Sequence, residues 1–252
     1  MSTLGILAAL HDEIAGFLHA MGPDMTVRTI GQRDYHVGVL YGRPCVVVLA
    51  RIGKVAAAAT TVTLIREFGV TELVFTGLAG AVAPQVRVGD VVVAQALLQH
   101  DLSAAPLFPR YEVPLLGRSH FQADVALSAA LLECATHYLD HDFDREVSPA
   151  TRDVFGIIQP QVHHGLIISG DQFVSTASAV HALRAELPLA LCVEMEGAAV
   201  AQICFEYDIP CVVIRTISDR ADDDASTDFS AFLAGVASVY SAGILRRLLN
   251  RA

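Results

Sequence analysis

Positive charge is scarce in this chain. Its 252 residues carry 17 Lys and Arg against 27 Asp and Glu, a formal net charge of −10. A protein that grips a nucleic-acid backbone needs a basic stripe to neutralise phosphates, and none is present, so no polymeric nucleic-acid partner is expected. Long apolar runs are also missing: nothing reaches the roughly 18 consecutive apolar residues that a membrane-spanning helix needs. The start, Met1-Ser2-Thr3-Leu4, lacks the basic opening of a signal peptide, and charge arrives only at His11-Asp12-Glu13. Paired cysteines are absent as well. Cys45, Cys134, Cys192, Cys204 and Cys211 are an odd number without a close pair, and four of them sit in apolar runs. Buried free thiols and a cytoplasmic setting are the expectation.

Several motifs are lacking, and each absence removes a class of chemistry. There is no Gly-x-Gly-x-x-Gly dinucleotide fingerprint and no P-loop ending in Lys-Ser/Thr. No Gly-x-Ser-x-Gly elbow is present for a serine hydrolase. His163 and His164 are adjacent, so they cannot share one metal from the same strand face. Neither a metal nor a cofactor is expected.

What the chain does have is apolar bulk. Hydrophobic residues make up 53% and charged ones 17%. A chain of this length buries roughly three quarters of its unfolded surface, enough for a large core without staples. Apolar β-rich runs alternate with helical stretches, the pattern of an α/β fold, and no linker or repeat divides residues 1–252. Strands are expected at Leu4–Leu10, Tyr35–Tyr41, Pro44–Ala50, Leu73–Thr76, Asp90–Leu98, Gly165–Ser169, Leu191–Val193 and Pro210–Ile217. Gly42-Arg43 should turn a hairpin. Helices are expected at Val55–Phe68, stopped by Gly69, and at Val125–Leu139, Gly197–Tyr207 and Phe229–Leu249. Leu102–Gln122 and Asp140–Gln161 are irregular. Asp222-Asp223-Asp224 reads as a solvated loop or helix entry.

Three strands run into acids at their carboxyl ends, where open α/β sheets bind ligands. The first leads to Glu13. The second leads to Glu194-Met195-Glu196; if still extended, both glutamates share a face, although acids there would also suit the start of the next helix. The third, Ile214-Arg215-Thr216-Ile217-Ser218-Asp219, carries an arginine that is costly to bury without an anion, and Glu196 or Glu13 would serve. Asp219 could equally cap the final helix. A fourth strand ends in Thr76-Gly77-Leu78-Ala79-Gly80, read as a Gly-rich turn that lets a ligand approach backbone. Arg51-Ile52-Gly53-Lys54, before a helix, could bind an anion or simply turn the chain.

Val193-Glu194-Met195-Glu196 followed by Arg215-x-Ile217-Ser218-Asp219 resembles the nucleoside phosphorylase and nucleosidase superfamily, and most closely its 5′-methylthioadenosine/S-adenosylhomocysteine nucleosidase branch. Ile52-Gly53-Lys54-Val55-Ala56-Ala57, Val88-Gly89-Asp90-Val91 and Ser169-Gly170-Asp171-Gln172-Phe173 extend the similarity along nearly the whole chain. The resemblance implies a single domain with a mixed central β-sheet flanked by helices, and a homodimer. It also implies cleavage of an adenine nucleoside's N-glycosidic bond. In that scheme Asp219 donates a proton to adenine N7, assisted by Ser218. Glu196 holds the ribose hydroxyls, while Glu13 activates water with help from Arg215. Phe173 stacks on the base, the Val174 backbone reads its edge, and Leu10, Leu78, Ala79, Gly80 and Met195 complete the substrate site. The branch commonly carries Ser or Thr where this chain has Leu78. Two rivals stay open: a phosphorylase, for which Arg33, Arg43 and Arg51 could supply charge, and a nucleoside-binding relative without catalysis. Among hydrolases, a futalosine-type substrate is a further alternative.

Overall fold

The computed structural model describes residues 2–220 and 229–251, so Asp222-Asp223-Asp224 lies outside the described residues. In chain order the elements begin β1 (Leu4–Ala8), α1 (His11–Met21), β2 (Thr26–Ile30), β3 (Arg33–Leu40), β4 (Arg43–Leu49), α2 (Lys54–Phe68) and β5 (Glu72–Ala81). There follow β6 (Val91–Gln99), β7 (His120–Gln122), α3 (Val125–His141), α4 (Phe143–Glu146), α5 (Pro149–Phe155) and β8 (Val162–Ser169). The last are α6 (Ala177–Glu186), β9 (Ala190–Glu194), α7 (Gly197–Glu206), β10 (Cys211–Asp219), α8 (Phe229–Phe232), a π turn (Leu233–Ala237) and α9 (Ser238–Leu249). None of the described helices is long and apolar enough to cross a membrane.

The strands form one mixed sheet that closes on itself. β5 pairs with β10 along one edge; on the other it pairs with β1 through Glu72–Phe75 and with β9 through Gly80 and Ala81. β9, β8, β6 and β10 then complete a ring back to β5. β1, β4, β3 and β2 extend from it as a wing. β1, with the sequence Leu-Gly-Ile-Leu-Ala, is buried at every residue, as an apolar run in a central parallel strand should be. Around the sheet, α1, α3 and α9 pack together, and α2 packs on α7.

The α/β class, the mixed sheet and most strands agree with expectation, and α2 stops at Gly69 in the left-handed conformation (φ 61°) that glycine favours. All five cysteines are buried and free. Several details differ, among them short elements, β7, α4 and α5, within stretches expected to be irregular. The hairpin turns at Tyr41-Gly42, both at positive φ, one residue earlier than expected. Gly77 to Ala81 do not form a turn: they continue β5, because β10 and then β9 hydrogen-bond them as strand. Ser218 and Asp219 are likewise the end of β10, and among the described residues neither is the N-cap of a helix. The closing helix is interrupted by its π turn at Leu233–Ala237, and beyond it in α9 the Ser241 hydroxyl lies 2.7 Å from Thr76 Oγ1 of β5.

Candidate active site

The carboxyl ends of β1, β5, β9 and β10 open into a cavity of about 360 Å³, within the size range of small-molecule sites. Its wall includes Leu10, Glu13, Leu78, Ala79, Gly80, Phe173, Val174, Met195, Glu196, Ser218 and Asp219, each singled out from the sequence. Ala9, Ile52, Gln172, Val193 and Glu194 join them. Ile52 and Gln172 fall inside motifs quoted from the sequence but are not among the predicted site residues; they line the cavity because the start of α2 and the segment after β8 arrive at the same mouth. No Lys, Arg or His lines the cavity among the described residues.

Glu13 stands in the first turn of α1 and reaches back over the end of β1. Its Oε2 accepts hydrogen bonds from the amides of Ala9 (2.8 Å) and Leu10 (2.9 Å), as a glutamate at the third helical position does when it caps the chain behind it. Oε1 is buried and accepts no hydrogen bond of ordinary geometry from the described residues, although the nearby Leu78 backbone favours its charge. Burial pushes this carboxyl up, partly offset by the Leu10 amide and the Arg215 charge.

Glu196 sits where β9 has ended and α7 begins. Its Oε1 accepts the Gly53 amide at 2.8 Å, and the next amide, Lys54, donates to Asp171 at 2.8 Å. The start of α2, a candidate anion site in the sequence, is therefore filled by the protein's own carboxylates. Burial, and then the neighbouring charge of Glu194, push the Glu196 carboxyl up to about 7. On β10, the Ser218 hydroxyl donates to Asp219 at 2.6 Å, and Asp219 lies in register with Gly80 beyond a bulge. Phe173, 58% exposed, overhangs the mouth from the segment after β8.

Arg215 is the one predicted site residue that does not reach the cavity surface; it is 1% exposed. Its expected partner was Glu196 or Glu13, but it pairs with Glu194, Nη2 to Oε2, at 2.6 Å. The strand stops at Glu194, so Glu194 and Glu196 do not share one extended face. The former turns toward β10 and the latter toward α2. The guanidinium also lies over the Phe75 ring, 4.0 Å from its centroid. Burial opposes its charge, but Glu194, Glu196 and Glu13 outweigh that and hold its pKa above the usual value. Arg33, Arg43 and Arg51 are engaged elsewhere, with Ala50 and Gly31, with Glu72, and with Gln32 respectively.

Gly77 permits the close approach of the two charged groups. A Cβ there would stand 2.8 Å from Arg215 Nη1 and 3.2 Å from Glu13 Oε1. Gly→Ala in a strand is otherwise mildly favourable, but Arg215 is locked between Glu194 and Phe75 and cannot give way. Gly77→Ala should therefore destabilise the fold by about 1–3 kcal/mol, as overpacking does, and reduce any activity that needs both groups. Thermal unfolding checks this; an unchanged or higher Tm would contradict it.

Comparison with known proteins gives the family. A family model described as the phosphorylase superfamily matches residues 3–250. An aminodeoxyfutalosine nucleosidase of Helicobacter pylori is 32% identical over 98% of this chain and 97% of its own. A 5′-methylthioadenosine/S-adenosylhomocysteine nucleosidase of Mycobacterium bovis is 34% identical over 98% and 96%. The Neisseria meningitidis enzyme of the latter name, solved with methylthio-immucillin-A, superposes with a TM-score of 0.85 at 30% identity, covering 100% of both chains. With a family model matching residues 3–250 and these proteins similar along nearly its whole length, the chain belongs to the phosphorylase superfamily.

Proposed function

We propose that the protein hydrolyses the N-glycosidic bond of 5′-modified adenine nucleosides, among them 5′-methylthioadenosine, S-adenosylhomocysteine and 5′-deoxyadenosine, releasing adenine and the ribose derivative. One observation carries the choice of water over phosphate: three buried carboxylates, Glu13, Glu194 and Glu196, surround a single buried guanidinium. Such a floor favours the positive charge that develops on ribose as the C1′–N9 bond breaks, and it repels a phosphate dianion. The start of α2 offers phosphate no free amides at Gly53 and Lys54, since Glu196 and Asp171 already take them.

The roles proposed are those that the family resemblance implies. Glu13 Oε1 takes a proton from water attacking C1′. The bonding electrons leave with the purine, and Asp219, oriented by Ser218, protonates N7. Glu196 accepts the ribose hydroxyls. Phe173 covers the base, and Val174 presents backbone to its edge. Acid and base act from opposite sides of the sugar, as in inverting glycosidases. Leu78 supplies no hydroxyl, so water is held by Glu13 and neighbouring backbone. We place the protein in the cytoplasm, in methionine salvage, as a homodimer of single-domain chains; Val55 and Leu107, 82% and 83% exposed, are apolar surface suited to a second copy.

Adenine release measured by chromatography tests this. Methylthioadenosine should be cleaved at the same rate with and without inorganic phosphate. AMP should give no adenine, because no described cavity residue is a cation to meet its 5′-phosphate. Phosphate dependence would make the protein a phosphorylase. Aminodeoxyfutalosine belongs in the same panel, since the Helicobacter relative is named for it.

A further inference from the structure

Glu194 is the most heavily bonded carboxylate of the site. Oε2 accepts Arg215 Nη2 at 2.6 Å, the Glu196 amide at 3.1 Å and the Gly197 amide at 2.8 Å. Oε1 accepts the Gly197 amide at 3.0 Å and the Ser169 hydroxyl. Ser169, fully buried at the end of β8, accepts the Ala198 amide at 2.7 Å. One carboxylate thus ties the ends of β8 and β10 to the first turn of α7, where the helix dipole favours its charge.

The other two buried carboxylates are in a different state. Glu196 accepts one hydrogen bond from Gly53, and Glu13 Oε1 accepts none of ordinary geometry from the described residues. Both carry the oxygens that the proposed reaction uses. A buried guanidinium needs an anion. Without Glu194, Arg215 would draw on Glu13 or Glu196, the two it already feels electrostatically.

We infer that Glu194, clamped by Ser169, is the positioning residue of the site: it occupies Arg215 and fixes the Met195–Glu196 backbone, which leaves Glu13 and Glu196 to water and ribose. The inference rests on the nucleosidase function proposed above. Glu194 acts through its neighbours, because both of its oxygens are committed to them. It also bears on the pH at which Glu196 is charged. The charged groups acting on Glu196 are Glu194 from β9, Arg215 from β10 and Glu13 from α1, and Glu194 leads among those that oppose ionisation.

The test compares wild type, Glu194→Gln and Ser169→Ala in adenine release across pH 5–9. Glu194→Gln should lose about 100-fold or more in kcat, with KM within about fivefold, as expected when a charge-assisted contact that orders the site is removed. The acidic limb of its profile should also move to lower pH, because a like charge beside Glu196 is gone and Arg215 is free to approach. A residue that only supported the fold would lower Tm and leave that limb in place. Ser169→Ala keeps the charge but loses two hydrogen bonds, to Glu194 and from the Ala198 amide, so about a tenfold loss in kcat with KM little changed and the acidic limb in place is expected; it carries the test through kcat if Glu194→Gln does not fold. If the wild type turns over and Glu194→Gln keeps kcat and its acidic limb, or, where that variant does not fold, Ser169→Ala keeps kcat, the positioning role is overturned and the nucleosidase stands. If the wild type releases no adenine with or without phosphate, the nucleosidase function fails and the positioning role fails with it.

Discussion

Replacing Asp219 by Asn is expected to lower kcat on methylthioadenosine by about 10²–10⁴-fold while leaving KM within a few-fold, the cost of removing a positioned general acid. Asn has nearly the same shape and keeps an oxygen for the Ser218 hydroxyl, which donates to Asp219 at 2.6 Å. What it cannot do is give up a proton to the leaving purine. Substrate contacts made in the ground state persist, so the loss falls on the chemical step. Steady-state kinetics separates the two: a kcat retained within tenfold would remove Asp219 from the acid role. An equal rise in KM would instead make it a binding residue.

Glu196→Gln should show a large loss of activity together with a gain of stability. The proposed role of Glu196 is to accept two ribose hydroxyls, and charge-assisted hydrogen bonds contribute about 1.5–3 kcal/mol each, so a loss of about 100-fold or more in kcat/KM is expected. Stability should move the other way. The carboxyl is 5% exposed, and its pKa rises from an ordinary 4.5 to about 7 on folding. Below pH 4.5 it is protonated in both states and costs nothing extra. Between 4.5 and 7 the unfolded chain releases the proton while the folded chain retains it, so wild-type stability falls as pH rises, and the penalty is constant above 7. Gln keeps an acceptor for the Gly53 amide without that penalty. Its Tm should match wild type at pH 4 and exceed it at pH 8, by about 2–4 °C for each kcal/mol relieved. Equal Tm values at pH 8 would mean that Glu196 is not held against its charge. A gain of this kind is the trade-off expected where a site stores like charges for use on a cationic intermediate.

The sequence by itself determined that this is an α/β protein with a large core, and which strand ends carry acids. Glu13, Glu196 and Asp219 could be named because apolar runs stop visibly where they begin, and because ligands gather at strand carboxyl ends. The match of Val193–Glu196 and Arg215–Asp219 to a known pattern turned three ordinary positions into one site. β2 left no trace, since its residues are exposed or half-exposed and show no apolar face. α6 was missed although its Thr176 cap, which accepts the Ala179 amide, was there to be read.

Only the tertiary structure decided how the charges divide. Local sequence could not choose Arg215's partner, because the choice depends on where β9 stops and how far β10 lies from each acid. Ending the strand at Glu194 gives that glutamate to Arg215 and sends Glu196 to Gly53. The same ring closure draws Gly77–Ala81 into β5, which makes an expected turn into the cavity floor. Each outcome is set by pairing between strands that are distant in sequence, and no local pattern encodes that.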